Sequence, residues 1–142
     1  MTLDEILENR TVLAELKRTW RDSKPNISGG HEEGGFIVSD DFGVLSVIRW
    51  EKGTRNEIIV PPHKNCLVRG KNIVASFHTH PNTGEDFLQE PSLTDIRAVR
   101  DDFDLKGEFY LGEFVISAQN IYLIEPSGEF RVVGQTKDIF ER

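Results

Sequence analysis

Several things are scarce in this sequence, and each shortage excludes a class of protein. There is one cysteine, Cys66, in 142 residues. No disulfide can close within the chain, so a reducing compartment is the expectation. No apolar run approaches the roughly 20 residues that a membrane-spanning helix needs. The opening M-T-L-D-E-I-L-E has early acids in place of a basic start and an apolar stretch, so it does not read as a signal peptide. Positive charge is in the minority: 17 Lys and Arg against 24 Asp and Glu leave a net charge of −7. A phosphate-binding surface needs clustered cations, so nucleic acid is not an expected partner. Repeats and low-complexity tracts are absent. The expectation is a soluble, cytoplasmic protein with no membrane partner, built as one domain over 1–142. That length buries a real core without disulfide staples.

What is present alternates between two periods. Leu3, Ile6 and Leu7, then Leu13, Leu16 and Trp20, recur at helical spacing behind a Thr2-to-Glu5 capping-box pattern. Residues 3–22 are therefore one amphipathic helix, or two short ones broken at Asn9. Gly34 to Val38 and Val44 to Trp50 read as a hairpin around Asp40-Asp41-Phe42-Gly43. Glu57 to Val60 reads as a short strand ended by Pro61-Pro62, and residues 63–72 are ambiguous. Leu93, Ile96, Val99 and Phe103 mark a second helical stretch. Strands follow at Phe109–Leu111 with Phe114–Ser117, at Ile121–Glu125 and at Phe130–Val133. This order predicts an α+β domain, a mostly antiparallel sheet with helices packed on it.

The chemistry concentrates between Ile73 and Asp95. The apolar run Ile73 to Phe77 leads into His78-Thr79-His80. Side chains two apart on a strand share a side, so both imidazoles face one point. Pro81 ends the strand because it has no N–H for the ladder. After a polar loop, Ser92-Leu93-Thr94-Asp95 opens a helix. Two histidines and one carboxylate are the ligand set of a catalytic zinc with one position left open. Ser92 and Asp95 also have an ordinary explanation as a helix cap, and the two readings are compatible.

H-x-H-P followed by S-x-x-D resembles the signature of the JAMM (MPN+, JAB domain) zinc metallo-isopeptidases, here of the bacterial single-domain type. That family also carries Glu-x-x-Gly on an early strand, which Glu32 and Gly35 fit. The resemblance runs from about Glu32 to Val133. One departure is the spacer Asn82–Pro91, which is longer than in familiar members. The resemblance implies a cytidine-deaminase-like architecture and one zinc per chain held by His78, His80 and Asp95. It implies Glu32 as general base and Ser92 as the hydroxyl that steadies the tetrahedral intermediate. Glu33 is the alternative to Glu32 by one register step. The implied reaction is hydrolysis of a peptide or isopeptide bond. The implied partner is a protein substrate with an extended C-terminal tail, as in ubiquitin, ubiquitin-like or sulfur-carrier proteins. The segment 52–70 and the long 82–91 loop would contact that substrate. Other roles for the same family are an intracellular processing peptidase, a toxin-type effector domain, or a metal-free scaffold.

Four other patterns lead nowhere by themselves. His31-Glu32 starts like a zincin helix, but Gly35 stands where the second histidine is needed. Asp102 to Glu113 imitates a calcium loop, with Lys106 at a ligand position. Cys66 reads as a small buried thiol. The glycine pairs at 29–30 and 34–35 lack the rest of a phosphate loop.

Overall fold

The N-terminal helical pattern divides at Asn9, whose backbone is extended rather than helical. Asn9 ends α1 (Leu3–Glu8) by donating its N–H to the Ile6 carbonyl, and its side chain accepts from Val12 N–H to start α2 (Arg10–Asp22). Asparagine suits this double duty, because its short amide competes with the backbone for hydrogen bonds. These contacts come from a computed structural model that describes Met1–Arg142.

The strands are β1 (Gly34–Ser39), β2 (Leu45–Arg49), β3 (Leu67–Val68), β4 (Lys71–Thr79), β5 (Glu113–Ile116), β6 (Asn120–Ile124) and β7 (Phe130–Gln135). They form one seven-stranded sheet in the order β2-β1-β4-β5-β6-β7, with β3 also paired to β4. Every pairing is antiparallel except β4 with β5. The chain between those two parallel strands crosses over through α3 (Leu93–Arg100). The architecture is thus α+β, with a mostly antiparallel sheet.

Two apolar clusters lie on the two faces of the sheet. On one, α1, α2 and the C-terminal α4 (Thr136–Phe140) pack Ile6, Leu16 and Ile139 against Ile37, Ala75, Phe77 and Phe114. On the other, Val99 of α3 joins Phe36, Ile73, Val115 and Tyr110. A bulge in β4 sets which side chain goes where. Ile37 pairs with Ala75 and Val38 with Ile73, leaving Val74 as an extra residue. Val74 and Ala75 therefore both join the α1/α2 cluster. The alternation resumes one step later, and Phe77 points toward α1 and α2.

Several element boundaries differ from the sequence expectations. Glu57–Val60 is not a strand. Ile58 and Val60 lean on the α3-side core while Ile59 is exposed, but the segment has no partner strand and runs into Pro61-Pro62. Phe109–Leu111 is also irregular. Tyr110 closes a turn onto Gly107, and Gly112 sits at φ +139°, where an added Cβ would lie 2.4 Å from the Ile124 carbonyl oxygen. Only after Gly112 does the chain settle into β5. Helix α3 stops at Arg100, which leaves Phe103 on the surface. The ambiguous 63–72 stretch contains the short β3–β4 hairpin. No helix is long and apolar enough to cross a membrane.

Candidate metal centre

His78 and His80 stand at the carboxyl end of β4, on the α3 side of the sheet, and both are buried. Their Nε2 atoms lie 3.2 Å apart. Asp95 comes to them from the first turn of α3. Its Oδ1 is 3.3 Å from His78 Nε2 and its Oδ2 is 3.1 Å from His80 Nε2. A helix cap fixes the carboxylate there. Ser92 Oγ accepts from Asp95 N–H at 3.1 Å, and Asp95 Oδ2 accepts from Ser92 N–H at 2.8 Å. The positive end of the helix also favours an anion at this position.

Glu32 comes to the histidines from a different part of the chain. It lies just before β1, held by backbone bonds from its N–H to the Thr54 carbonyl at 2.8 Å and from Gly53 N–H to its own carbonyl at 2.7 Å. Glu32, His78 and His80 form a buried group that can hold a metal ion, with one ligand atom from each lying within 4.8 Å of the others. Two sets of three donors therefore share the histidines, one completed by Asp95 and the other by Glu32. A tetrahedral ion with ligands at about 2.0–2.1 Å has donor–donor edges of about 3.3 Å. The imidazoles and Asp95 stand at about that edge length.

The electrostatics distinguish the two carboxylates. Burial, only partly offset by His78 and His80, pushes the Glu32 carboxyl up to about 7. Burial also works against ionising Asp95, but His78 and then His80 overcome it and hold Asp95 well below the usual carboxylate range. His78 itself is disfavoured as a cation by burial, yet Asp95 and Glu113 raise it well above its ordinary value.

Glu33 points elsewhere. Its Oε1 accepts from Arg49 Nη2 at 2.7 Å and its Oε2 meets His31 Nε2 at 2.6 Å. Arg49 continues to Asp22 at the end of α2. The adjacent glutamates thus serve opposite sides of an extended segment. Gly35 allows this segment to run close to β4, because a Cβ there would lie 2.7 Å from the Phe77 ring.

A cavity of about 220 Å³ opens beside these groups, lined by Glu32, His80, Ser92, Arg55, Asn82 and Phe87 among others. Buried Asn82 fastens its walls. Its amide bonds Gly30 on both sides, at 2.7 and 3.0 Å, and donates to the Arg55 carbonyl at 3.0 Å. The long 82–91 loop has a second role that its sequence did not signal. The Gln89 carbonyl lies 3.3 Å from His80 Nδ1, so the loop buttresses His80 as well as lining the cavity.

Sequence reasoning missed Glu113, which it met only as the last position of a false calcium loop. This buried carboxylate places Oε2 2.9 Å from His78 Nδ1. The signal was available: a glutamate heading the apolar strand E-F-V-I needs a buried partner. Two remaining residues stand apart from the site. His63 bonds Asp102 and the Pro61 carbonyl. Cys66 is half-buried rather than buried, and desolvation with Asp104 and Asp102 nearby pushes its thiol up, which does not suit a nucleophile. No family model, curated protein or solved structure matches the chain.

Proposed function

We propose that this protein is a zinc-dependent hydrolase of peptide or isopeptide bonds, of the JAMM/MPN+ type that its H-x-H-P and S-x-x-D motifs resemble. The observation that carries the proposal is the convergence of His78, His80 and Asp95 at 3.1–3.3 Å, with the buried Glu32 carboxyl beside the two histidines and lining an open cavity. The donor set of two imidazoles and one carboxylate suits zinc. His78, His80 and Asp95 would hold the ion, which would supply a Lewis acid and lower the pKa of a water to about 7.

The remaining roles belong to the chain's own groups. Glu32, with its carboxyl raised to about 7, can take a proton from the attacking water near neutral pH and return it to the leaving amine. Ser92 has its hydroxyl oxygen engaged as acceptor by Asp95 N–H, which leaves its O–H free to donate to a developing oxyanion in the cavity. Phe87 and Leu88 offer apolar contact at the rim, and Arg55 has no ion-pair partner there. The cavity is small beside a folded domain, which suits an extended protein tail of small residues, such as a ubiquitin-like or sulfur-carrier C-terminus.

The test is metal content after mild purification, followed by hydrolysis assays on tail-linked isopeptide and linear peptide substrates. About one zinc per chain, lost from His78→Ala, His80→Ala and Asp95→Ala, is the expected result. A chain that purifies and stays metal-free after incubation with zinc is the outcome that rejects the proposal in favour of a scaffold.

A further inference from the structure

Behind His78 lies a line of buried hydroxyl and carboxyl groups that no step above uses. His78 Nδ1 meets Glu113 Oε2 at 2.9 Å, Glu113 Oε1 accepts from Ser76 Oγ at 2.8 Å, and Ser76 Oγ lies 2.6 Å from Tyr110 Oη. All four residues are buried. The parallel pairing of β4 with β5 sets Ser76 beside Glu113, and strand alternation places His78 on the same face.

The direction of the hydrogen bonds follows from the chemistry of the groups. An ionised carboxylate only accepts. Ser76 must therefore give its one proton to Glu113, so the contact with Tyr110 is made by the tyrosine O–H donating to Ser76. His78 Nδ1 stands 2.9 Å from the other carboxylate oxygen, an acceptor, and so carries a proton on that side. Metal binding takes the neutral imidazole, which carries one N–H, so in that form Nε2 is a bare lone pair. That atom is the one that stands 3.2 Å from His80 Nε2 and 3.3 Å from Asp95 Oδ1. An apolar residue in place of Glu113 would serve the strand without burying a charge, so the strand alone does not explain it.

We propose that Tyr110, Ser76 and Glu113 form a positioning chain that fixes His78 as its Nδ1–H tautomer and so presents Nε2 to the metal. The chain rests on the zinc reading above. Glu113 is its decisive member, because it alone touches the imidazole. Ser76 and Tyr110 hold the Glu113 carboxylate in place.

The experiment measures zinc affinity of the whole protein by chelator competition, together with proton NMR of the zinc-loaded form. Glu113→Ala should weaken zinc binding about 10–100-fold, the usual effect of removing such an outer partner. The low-field, slowly exchanging His78 Nδ1–H signal of the parent protein should vanish with it. Glu113→Gln keeps a carbonyl acceptor, so it should recover part of both. If Glu113→Ala does not fold, Ser76→Ala carries the test, with about threefold or greater weakening expected for a lost buried bond. Zinc affinity within twofold of the parent and an unchanged Nδ1–H signal in the folded variant would overturn the positioning role while leaving the zinc reading intact. A parent protein that binds no zinc would overturn both.

Discussion

The two faces of the central sheet are built from the same strands and have opposite chemistry. Toward α1, α2 and α4 the side chains are almost wholly apolar, with Phe77 and Phe114 fully buried between sheet and helices. Toward α3 the core is smaller, and it gives way at the end of β4 to Ser76, His78, His80 and Glu113, buried polar groups that bond one another. Phe77 and His78 are neighbours in the chain and belong to different halves of this division. The apolar face supplies adhesion and a rigid backbone. On the polar face, desolvation is offset only because each group has a partner. A sheet anchored firmly on one side can thus carry a costly arrangement on the other.

The sharpest way to break the comparison is at the two adjacent glutamates. Glu32→Gln should keep the fold and the zinc but lose turnover by about a hundredfold or more, as expected for a general base. Glu33→Gln, which loosens only the Arg49 and His31 contacts, should change turnover a few-fold. Steady-state rates with zinc content checked in parallel decide it, and a reversed pattern would put Glu33 in the catalytic role.

Next in size is the apolar side. Phe77→Ala should reduce stability by about 3–5 kcal/mol, read by denaturant unfolding of the metal-free protein. Glu32→Gln should do the opposite under the right conditions. A carboxyl raised from 4.5 to about 7 by burial binds more protons folded than unfolded between those values, so folding stability falls as pH rises through that window. The metal-free Glu32→Gln protein should therefore gain up to about 3 kcal/mol over its parent at pH 8, and less at pH 5. Equal gains at both pH values would show that Glu32 is not held in its raised state by the site.

The loop offers a subtler test. Shortening Asn82–Pro91 by a few residues should raise KM for a protein substrate more than for a short peptide. Because Gln89 supports His80, it should also weaken zinc binding by severalfold. Unchanged zinc affinity would confine the loop to substrate contact.

The smallest expected effect is a pH dependence of metal uptake. In the metal-free protein His78 is raised above 6.5 by Asp95 and Glu113 in spite of its burial. A proton then occupies the place where the proposed ion would bind, so uptake should release protons and apparent affinity should fall in acid. The same shift has a stability sign. Its contribution to the metal-free fold is fully present below 6.5 and is lost as pH rises through the folded value. Isothermal titration in buffers of different ionisation enthalpy counts the protons, and none released near neutral pH would contradict the pairing seen here.

The sequence alone determined the parts governed by local rules. Parity on an extended strand put His78 and His80 on one side, Pro81 ended that strand, and the Ser92–Asp95 spacing specified a capped helix start. Helical spacing marked residues 3–22 but left one helix or two open, and the extended backbone of Asn9 in the folded chain decided for two. Tertiary structure decided whatever depends on partners distant in the chain. Glu57–Val60 has strand-like residues but no neighbour to pair with, so it stays irregular. The bulge at Val74 set the phase of β4 against the two cores. Glu113 looked like a loop ligand in sequence and became the partner of His78 only because β5 pairs in parallel with β4. Glu32 and Glu33 were separable by alternation in principle, but which one faces the histidines was fixed by Arg49 from β2 and His31, which hold Glu33 on the other side. Local patterns follow from steric and hydrogen-bonding limits within a few residues, whereas partner choice follows from packing the whole chain, and the site needs both.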